Sequence, residues 1–333
     1  MKKIVTLMTV AAIATSLFAA DVSAQLKLGT NLWSNKAVLT TPASSGWDTN
    51  NTYYKLSVNG DKSGAEYCIW DEDAKFHGLS LWFKPVDSLK VTVGNNTSAS
   101  MTKGTFAWWA NTAKLENVMG IKLNADVAGV ALEFLSANNA LLDTSKSGYD
   151  MVGNFWAGAT YGMGDAGTIQ VYATKGADIN AYGVGGWMKV DGLGIGLAYD
   201  HMPWQQTGFY ADVIGCFNPD FSFKEVAGQV GGQYSANGLA ARLTVPVAYG
   251  HKYGAADATF SYGAVAQVSY AIEAYTPYLK VMAHEIMDKK LEADLGVTTS
   301  IGACELETWV QINMNFAAST TTVAVPVTFK VSF

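Results

Sequence analysis

The residues of this chain that could hold a metal, carry a nucleophile or cradle a phosphate are few: 4 histidines, 3 cysteines and some glycine-rich turns. None has the spacing that its chemistry requires. His284-Glu285 opens like the His-Glu-x-x-His zinc helix, where two imidazoles one turn apart take the metal, but Asp288 stands at the second histidine's place. His77, His201 and His251 are scattered among expected strand ends and loops, where solvated histidines are ordinary. Cys68, Cys216 and Cys304 are odd in number and far apart. That excludes a CxxC metal site and a disulfide scaffold, and leaves one bridge between two of them open. Gly162-Met-Gly-Asp-Ala-Gly167 matches the glycine fingerprint of dinucleotide folds. A phosphate there needs the N-terminus of a following helix. Thr168-Ile-Gln-Val-Tyr-Ala173 instead alternates as a strand, so the glycines read as a hairpin turn. With no Gly-x-Ser-x-Gly elbow and no groupable serine, histidine and carboxylate, no catalysed reaction, cofactor or metal is expected.

The chemistry that remains is charge ordered by parity. In successive segments with alternating side chains, Lys55, Lys84, Lys90, Lys122, Lys189, Arg242, Lys280 and Lys330 share one face with Glu66, Glu133, Glu225, Glu292, Asp294, Glu305 and Glu307. The other face is apolar. A lysine or arginine facing lipid at mid-membrane costs roughly 2–4 kcal/mol, so charges kept to one parity imply water on that side. Lys122, Glu133, Lys189, Arg242, Lys280, Glu305 and Glu307 are the expected pore-lining residues. Arg242 is the chain's lone arginine, so an arginine ladder is absent.

The elements that place these charges are strands. From Val323 to Phe333 every odd position is apolar, and Leu306–Phe316 alternates in the same way. Similar runs recur toward the N-terminus. Tyr182–Val190 is expected to turn at Asp191-Gly192 into Leu193–Tyr199, Phe155–Tyr161 to pass through Gly162–Gly167 into Ile169–Ala173, and Leu79–Phe83 to turn into Leu89–Val93. The segmentation predicts a closed antiparallel transmembrane β-barrel of about 18 strands, with about 16 as the alternative. Short turns are expected near residues 61, 86, 126, 164, 191, 236, 272 and 303, and long loops at 34–51, 95–116, 137–150 and 200–224. Phe209–Phe217 inside the last loop also alternates, which would shift the assignment if it is a strand. Aromatics at strand ends form the expected interface girdles: Phe83, Tyr161, Tyr234, Tyr270 and Phe333 at the turn end, and Phe134, Phe155, Tyr182, Tyr199 and Phe316 at the loop end.

Met1-Lys-Lys followed by an apolar, threonine-dotted stretch and Val22-Ser-Ala24 reads as a signal peptide, residues 1–24, cut before Gln25. The barrel would then occupy residues 25–333. Removing Lys2, Lys3 and Asp21 leaves an acidic balance, which does not court nucleic acid. The 33 glycines, 10 tryptophans, 16 tyrosines and 15% charge suit a wall facing lipid, and no linker divides the chain.

The last strand, ending on Phe333, resembles the final strand of the bacterial outer-membrane β-barrel family, whose C-terminal aromatic is read by the barrel-assembly machinery. Leu81–Gly94 is similar to a hairpin of spirochaetal and related porin-like barrels. The resemblance implies a porin in the bacterial outer membrane: a passive channel for small hydrophilic solutes and ions, weakly selective, with outer-membrane lipid and the assembly machinery as partners. Whether such barrels join as homotrimers is left open. It also implies an inward-folded loop that narrows the channel. Residues 200–224, with Asp200, Asp212 and Asp220, are the first candidate, and 95–116, with Trp108-Trp109, the second. The rival reading is a barrel plugged by its loops that binds host or partner molecules through its external surface.

Overall fold

Alternation in the chain becomes two faces of a wall. Leu79, Leu81 and Phe83, Ile195 and Leu197, and Leu295 are exposed, while Gln229, Gln233, Thr244, Glu292 and Asp294 are buried, so the polar side chains are inside. The computed structural model describes residues 21–35, 38–40, 53–70, 75–100, 113–137, 153–179, 188–201, 207–250, 258–283, 286 and 289–332.

The strands are β1 (Asp21–Ser34), β2 (Val38–Thr40), β3 (Tyr53–Asn59), β4 (Ser63–Trp70), β5 (Lys75–Val86), β6 (Leu89–Ser100), β7 (Ala113–Val127) and β8 (Val130–Ala137). They continue as β9 (Asn154–Gly162), β10 (Thr168–Lys175), β11 (Asp178–Ile179), β12 (Met188–Lys189), β13 (Leu193–His201), β14 (Gly208–Phe217) and β15 (Phe223–Ala236). The last are β16 (Leu239–Gly250), β17 (Thr259–Tyr262), β18 (Ala264–Tyr270), β19 (Tyr275–Ala283), β20 (Lys290–Ile301), β21 (Cys304–Asn315) and β22 (Thr320–Ser332). Each wall strand pairs antiparallel with its neighbour, and β1 closes on β22 from Gln25↔Ser332 to Ser34↔Ala324. β2 pairs with β1, β11 and β12 pair with each other, and β17 and β18 are one interrupted strand, so the closed wall has 18 strands.

The break between β17 and β18 has a local cause. Pro246 has no N–H to give the ladder, and opposite it the chain breaks at Gly263, whose N–H donates to the Pro246 carbonyl at 3.0 Å. Pairing resumes at Thr244↔Val265.

The short turns at 60–62, 87–88, 128–129, 163–167, 237–238, 271–274 and 302–303 lie at one end, where sequence placed them. The turn expected at 191 does not. β13 pairs with β10 from Thr168↔Asp200 to Thr174↔Gly194, so it runs from the loop end to the turn end, and the next turn-end connection follows His201. Tyr199 is accordingly at the turn end, not the loop end, with its hydroxyl donating to the Ala166 carbonyl at 2.7 Å. Residues 200–224 are not a long loop. They hold the end of β13, the wall strand β14 and the tight turn into β15. The count of 18 is kept with β14 as a wall strand; of the expected strand Tyr182–Val190, residues 182–187 lie outside the described residues and Met188–Lys189 pair with β11.

Inside the wall, aromatic rings lie over glycines of adjacent strands. A methyl group at Gly196 would strike the Tyr172 ring, one at Gly231 the Tyr210 ring, one at Gly64 the Trp82 indole and one at Gly296 the Tyr278 ring. Covering the glycine keeps its ladder bonds away from water, and the ring gains a flat bed. Gly196→Ala and Gly231→Ala are each expected to destabilise the barrel by about 1–3 kcal/mol through overpacking. The check is the urea midpoint of the refolded protein, followed by the band shift between heated and unheated gels. An unchanged midpoint in both would refute the packing role of the rings.

Candidate functional site in the barrel lumen

The inner face divides into two unlike arcs. On β7 to β16 many inward side chains are apolar and fully enclosed. Leu115, Leu135, Trp156, Tyr172, Ile214 and Cys216 form one cluster with Ala177, Ile179 and Val190. The last three belong to the connection between β10 and β13, whose residues 176–179 and 188–190 therefore lie inward against the wall. Its two limbs bond to each other, Gly176 N–H to the Val190 carbonyl at 2.7 Å and Val190 N–H to the Ala177 carbonyl at 2.9 Å. β11 then pairs with the start of β7, which is not its neighbour in the wall, through Asp178↔Lys114 and Ile179↔Ala113. Gly176 allows the departure with a φ of 75°, and a side chain there would strike Asn154. The Trp156 and Tyr172 rings stack at 4.3 Å beneath this segment.

The inward segment is thus 176–179 with 188–190, and not 200–224. The expected constriction aspartates take other places. Asp200 lies in β13 opposite Tyr210. Asp212 lies on the inner face of β14 and accepts a 2.7 Å bond from Gln229. Asp220 shapes the β14–β15 turn, accepting from Ser222 N–H at 3.0 Å and Ser222 Oγ at 2.6 Å. Those bonds hold the exposed Asp220 carboxyl below its usual pKa. The 95–116 candidate is partly strand, and its Trp108-Trp109 lies outside the described residues.

The signal that could have located the segment was present in the sequence. Leu135, Trp156, Ile214 and Cys216 occupy inward parity, where a water-filled lumen has no use for them. Something apolar had to cover them.

The opposite arc, β15 to β21, carries a polar row. Register places Gln233, Arg242, Gln267, Lys280, Asp294 and Gln311 side by side on successive wall strands. Lys280 Nζ reaches Asp294 at 3.4 Å, Gln311 donates to Glu292 at 3.1 Å, and Tyr210 and Thr244 share a 2.6 Å bond. Closer to the turn end, the Tyr278 hydroxyl donates to Glu307 at 2.8 Å, and Glu305 stands opposite Lys330.

A second polar group lies on β6 to β8. Lys122 bonds Glu133 at 2.7 Å and the Ser98 carbonyl at 2.6 Å, while Asn124 donates to the same Glu133 oxygen at 3.2 Å. Lys189 is in β12, opposite Asp178, and so belongs to the inward segment instead of a wall strand.

On the outer surface Tyr161, Tyr234 and Tyr270 are exposed at the turn end and Phe316 at the loop end; Phe333 lies outside the described residues. Cys68, Cys216 and Cys304 are free thiols. Among the described residues no group of histidine, cysteine and carboxylate could hold a metal.

The sequence matches no family model and no curated protein. The fold does match solved structures. OccK10 (OpdN) of Pseudomonas aeruginosa aligns over 94% of this chain and 99% of its own, at TM-score 0.57 and 7% identity. A BenF-like porin from Pseudomonas fluorescens Pf-5 aligns over 94% and 98%, at 0.55 and 9%. OprD of Pseudomonas aeruginosa aligns over 94% and 95%, at 0.54 and 8%. The fold is therefore that of the closed outer-membrane porin barrels, reached with almost no shared sequence.

If the inward segment is held by burial of Ile179, an acid there should release it. Ile179→Asp is expected to raise single-channel conductance in planar bilayers while the gel shift of the folded barrel persists. An unchanged conductance would mean that this segment does not narrow the lumen.

Proposed function

We propose that this chain is a bacterial outer-membrane channel through which small hydrophilic solutes and ions diffuse passively, without catalysis. The observation that carries the reading is the row Gln233–Arg242–Gln267–Lys280–Asp294–Gln311 facing inward on neighbouring strands, in a wall whose outer surface is apolar. A barrel of 18 strands has a backbone radius of roughly 18 Å, from strands about 4.8 Å apart tilted about 40°. Side chains alone do not fill that width, so water does beside the inward segment.

A solute moving along the row exchanges hydration for amide, hydroxyl and ammonium contacts that renew at each strand. Arg242, Lys280, Glu305 and Glu307 line this path, Lys122 and Glu133 face the lumen from β7 and β8, and Lys189 enters it from the inward segment. Cations and carboxylates are interleaved along the wall, so the lumen field is small and selectivity weak.

A plugged barrel that binds partners through its external surface is the second reading. The enclosed contact of Ile179 and Val190 with the wall is what favours it. Liposome uptake of sugars separates the two, because a plugged barrel passes none.

The lipid-facing belt is the surface met by outer-membrane lipid, and Phe333 would be read by the assembly machinery. If copies join as a homotrimer, the shallow apolar groove of Ala157, Ala159, Val171, Ala173, Ile195 and Leu197 is the wall they would share. Residues 1–24 would leave as a signal peptide. β1 begins at Asp21, and Asp21–Ala24 pair with Asn59–Leu56. Intact mass of the membrane-inserted protein should give a start at Gln25, and a start at Asp21 would count against that cut.

In a KCl gradient Arg242→Gln is expected to shift the reversal potential toward cation preference, and Glu305→Gln with Glu307→Gln toward anions. Each permeability ratio should move by less than about twofold, because charges more than about 10 Å apart are screened at 0.1 M salt. Failure of the refolded wild type to conduct would overturn the channel reading.

A further inference from the structure

At the turn end of the wall, between β3 and β8, two lysines make no ion pair with a carboxylate among the described residues. Four lysines and two glutamates stand at inward positions there, and each glutamate is taken by its own lysine: Lys55 bonds Glu66 at 2.7 Å and Lys122 bonds Glu133 at 2.7 Å, while Asp126 accepts from Gly129 N–H at 3.3 Å and Asp87 is exposed in the β5–β6 turn. The other two, Lys84 and Lys90, flank the β5–β6 turn. Among the described residues neither has a carboxylate partner. Burial and the positive charges of Lys84 and Lys122 bear on Lys90 together, and Glu66 opposes them.

The position of Lys90 is built. Its ammonium sits 4.6 Å from the centre of the Trp82 ring. Trp82 is itself held by its indole N–H, which donates to Asn59 at 3.3 Å. Register adds neutral donors around the pair: Thr92 stands between Trp82 and Lys122, and Asn124 between Lys90 and Glu133. Like charges side by side on adjoining strands repel unless an anion enters between them. Lysine ammonium groups with rotatable donors suit a compact oxyanion.

We infer that Lys84 and Lys90, with Trp82, Thr92 and Asn124, form an anion station on the inner wall at the turn end that takes a small divalent oxyanion of the phosphate class. A monovalent anion neutralises one ammonium; a divalent one neutralises both. The station adds to the channel reading one step at which a particular solute pauses.

The test is current block. Inorganic phosphate added on the turn-end side is expected to reduce chloride current through the wild-type channel, with acetate at equal ionic strength much weaker. In Lys84→Gln with Lys90→Gln the half-blocking concentration should rise at least about tenfold, the loss of one charge-assisted contact or more. The double variant must still show the folded gel band. Equal block of wild type and variant, equal block by acetate, or no block at all would overturn the station. If the wild type carries no current, the channel reading fails by itself. Calorimetric titration of phosphate into the detergent-folded barrel then decides the station: heat in the wild type that is lost in the variant supports it, and no heat refutes it.

Discussion

Everything in this molecule depends on closing the backbone hydrogen-bond ladder on itself. In hydrocarbon an unpaired peptide group costs several kcal/mol, so a sheet that crosses a membrane cannot keep an edge. Pairing β1 with β22 along Gln25–Ser34 and Ala324–Ser332 removes both edges at once. The closed ladder then forces alternate side chains to opposite faces around the circumference, because a slip of one residue carried along a whole strand would put charges into lipid. The break between β17 and β18 obeys the same rule. Pro246 cannot donate, and Gly263 turns in to spend its own N–H on the proline's carbonyl.

Closure also explains why the inner face needs two solutions. A wide ring leaves a lumen that side chains cannot fill, and each inward residue must face either water or covering protein. The β7–β16 arc takes cover: Leu135, Trp156 and Ile214 pack against Ala177, Ile179 and Val190. The β15–β21 arc takes water, with amides between its ions. Where the two meet, Tyr210 lies over Gly231 and shares a 2.6 Å bond with Thr244, a ring that serves the wall's packing on one side and presents a hydroxyl on the other.

The wall was legible in sequence because lipid imposes one simple pattern on it. Leu306–Phe316 and Val323–Val331 alternate without a break, and their strands stand where the pattern put them. Turn glycines were equally legible: Gly129, Gly238 and Gly302 have positive φ in two-residue turns that few other residues enter cheaply. The pattern failed at 176–217, for a physical reason. β14 is apolar toward lipid at Phe209 and Val213 and partly apolar inward, where Ile214 and Cys216 meet the inward segment and only Asp212 is charged, so its inner parity is less polar than that of its neighbours. Met188-Lys189-Val190 meanwhile imitates a wall strand while bonding only within the lumen.

The distribution of ion pairs follows from the same geometry. Register alone decides which carboxylate a lysine meets, since both are anchored to rigid strands and the neighbouring strand offers only the opposite and diagonal positions. Lys122 and Glu133 are diagonal neighbours on β7 and β8, as are Lys55 and Glu66 on β3 and β4, while Lys280 and Asp294 are directly opposed on β19 and β20. A lysine whose two flanking strands offer no acid at those positions cannot reach for one elsewhere, because its backbone is held in the ladder. Lys90 is a different case: β7 offers it Asn124 directly and Lys122 and Asp126 on the two diagonals, Asp126 accepts from the Gly129 N–H of the next turn, and Lys90 lies over the face of Trp82 on β5. The ladder that seals the barrel against lipid thus also determines where its uncompensated positive charge is left inside.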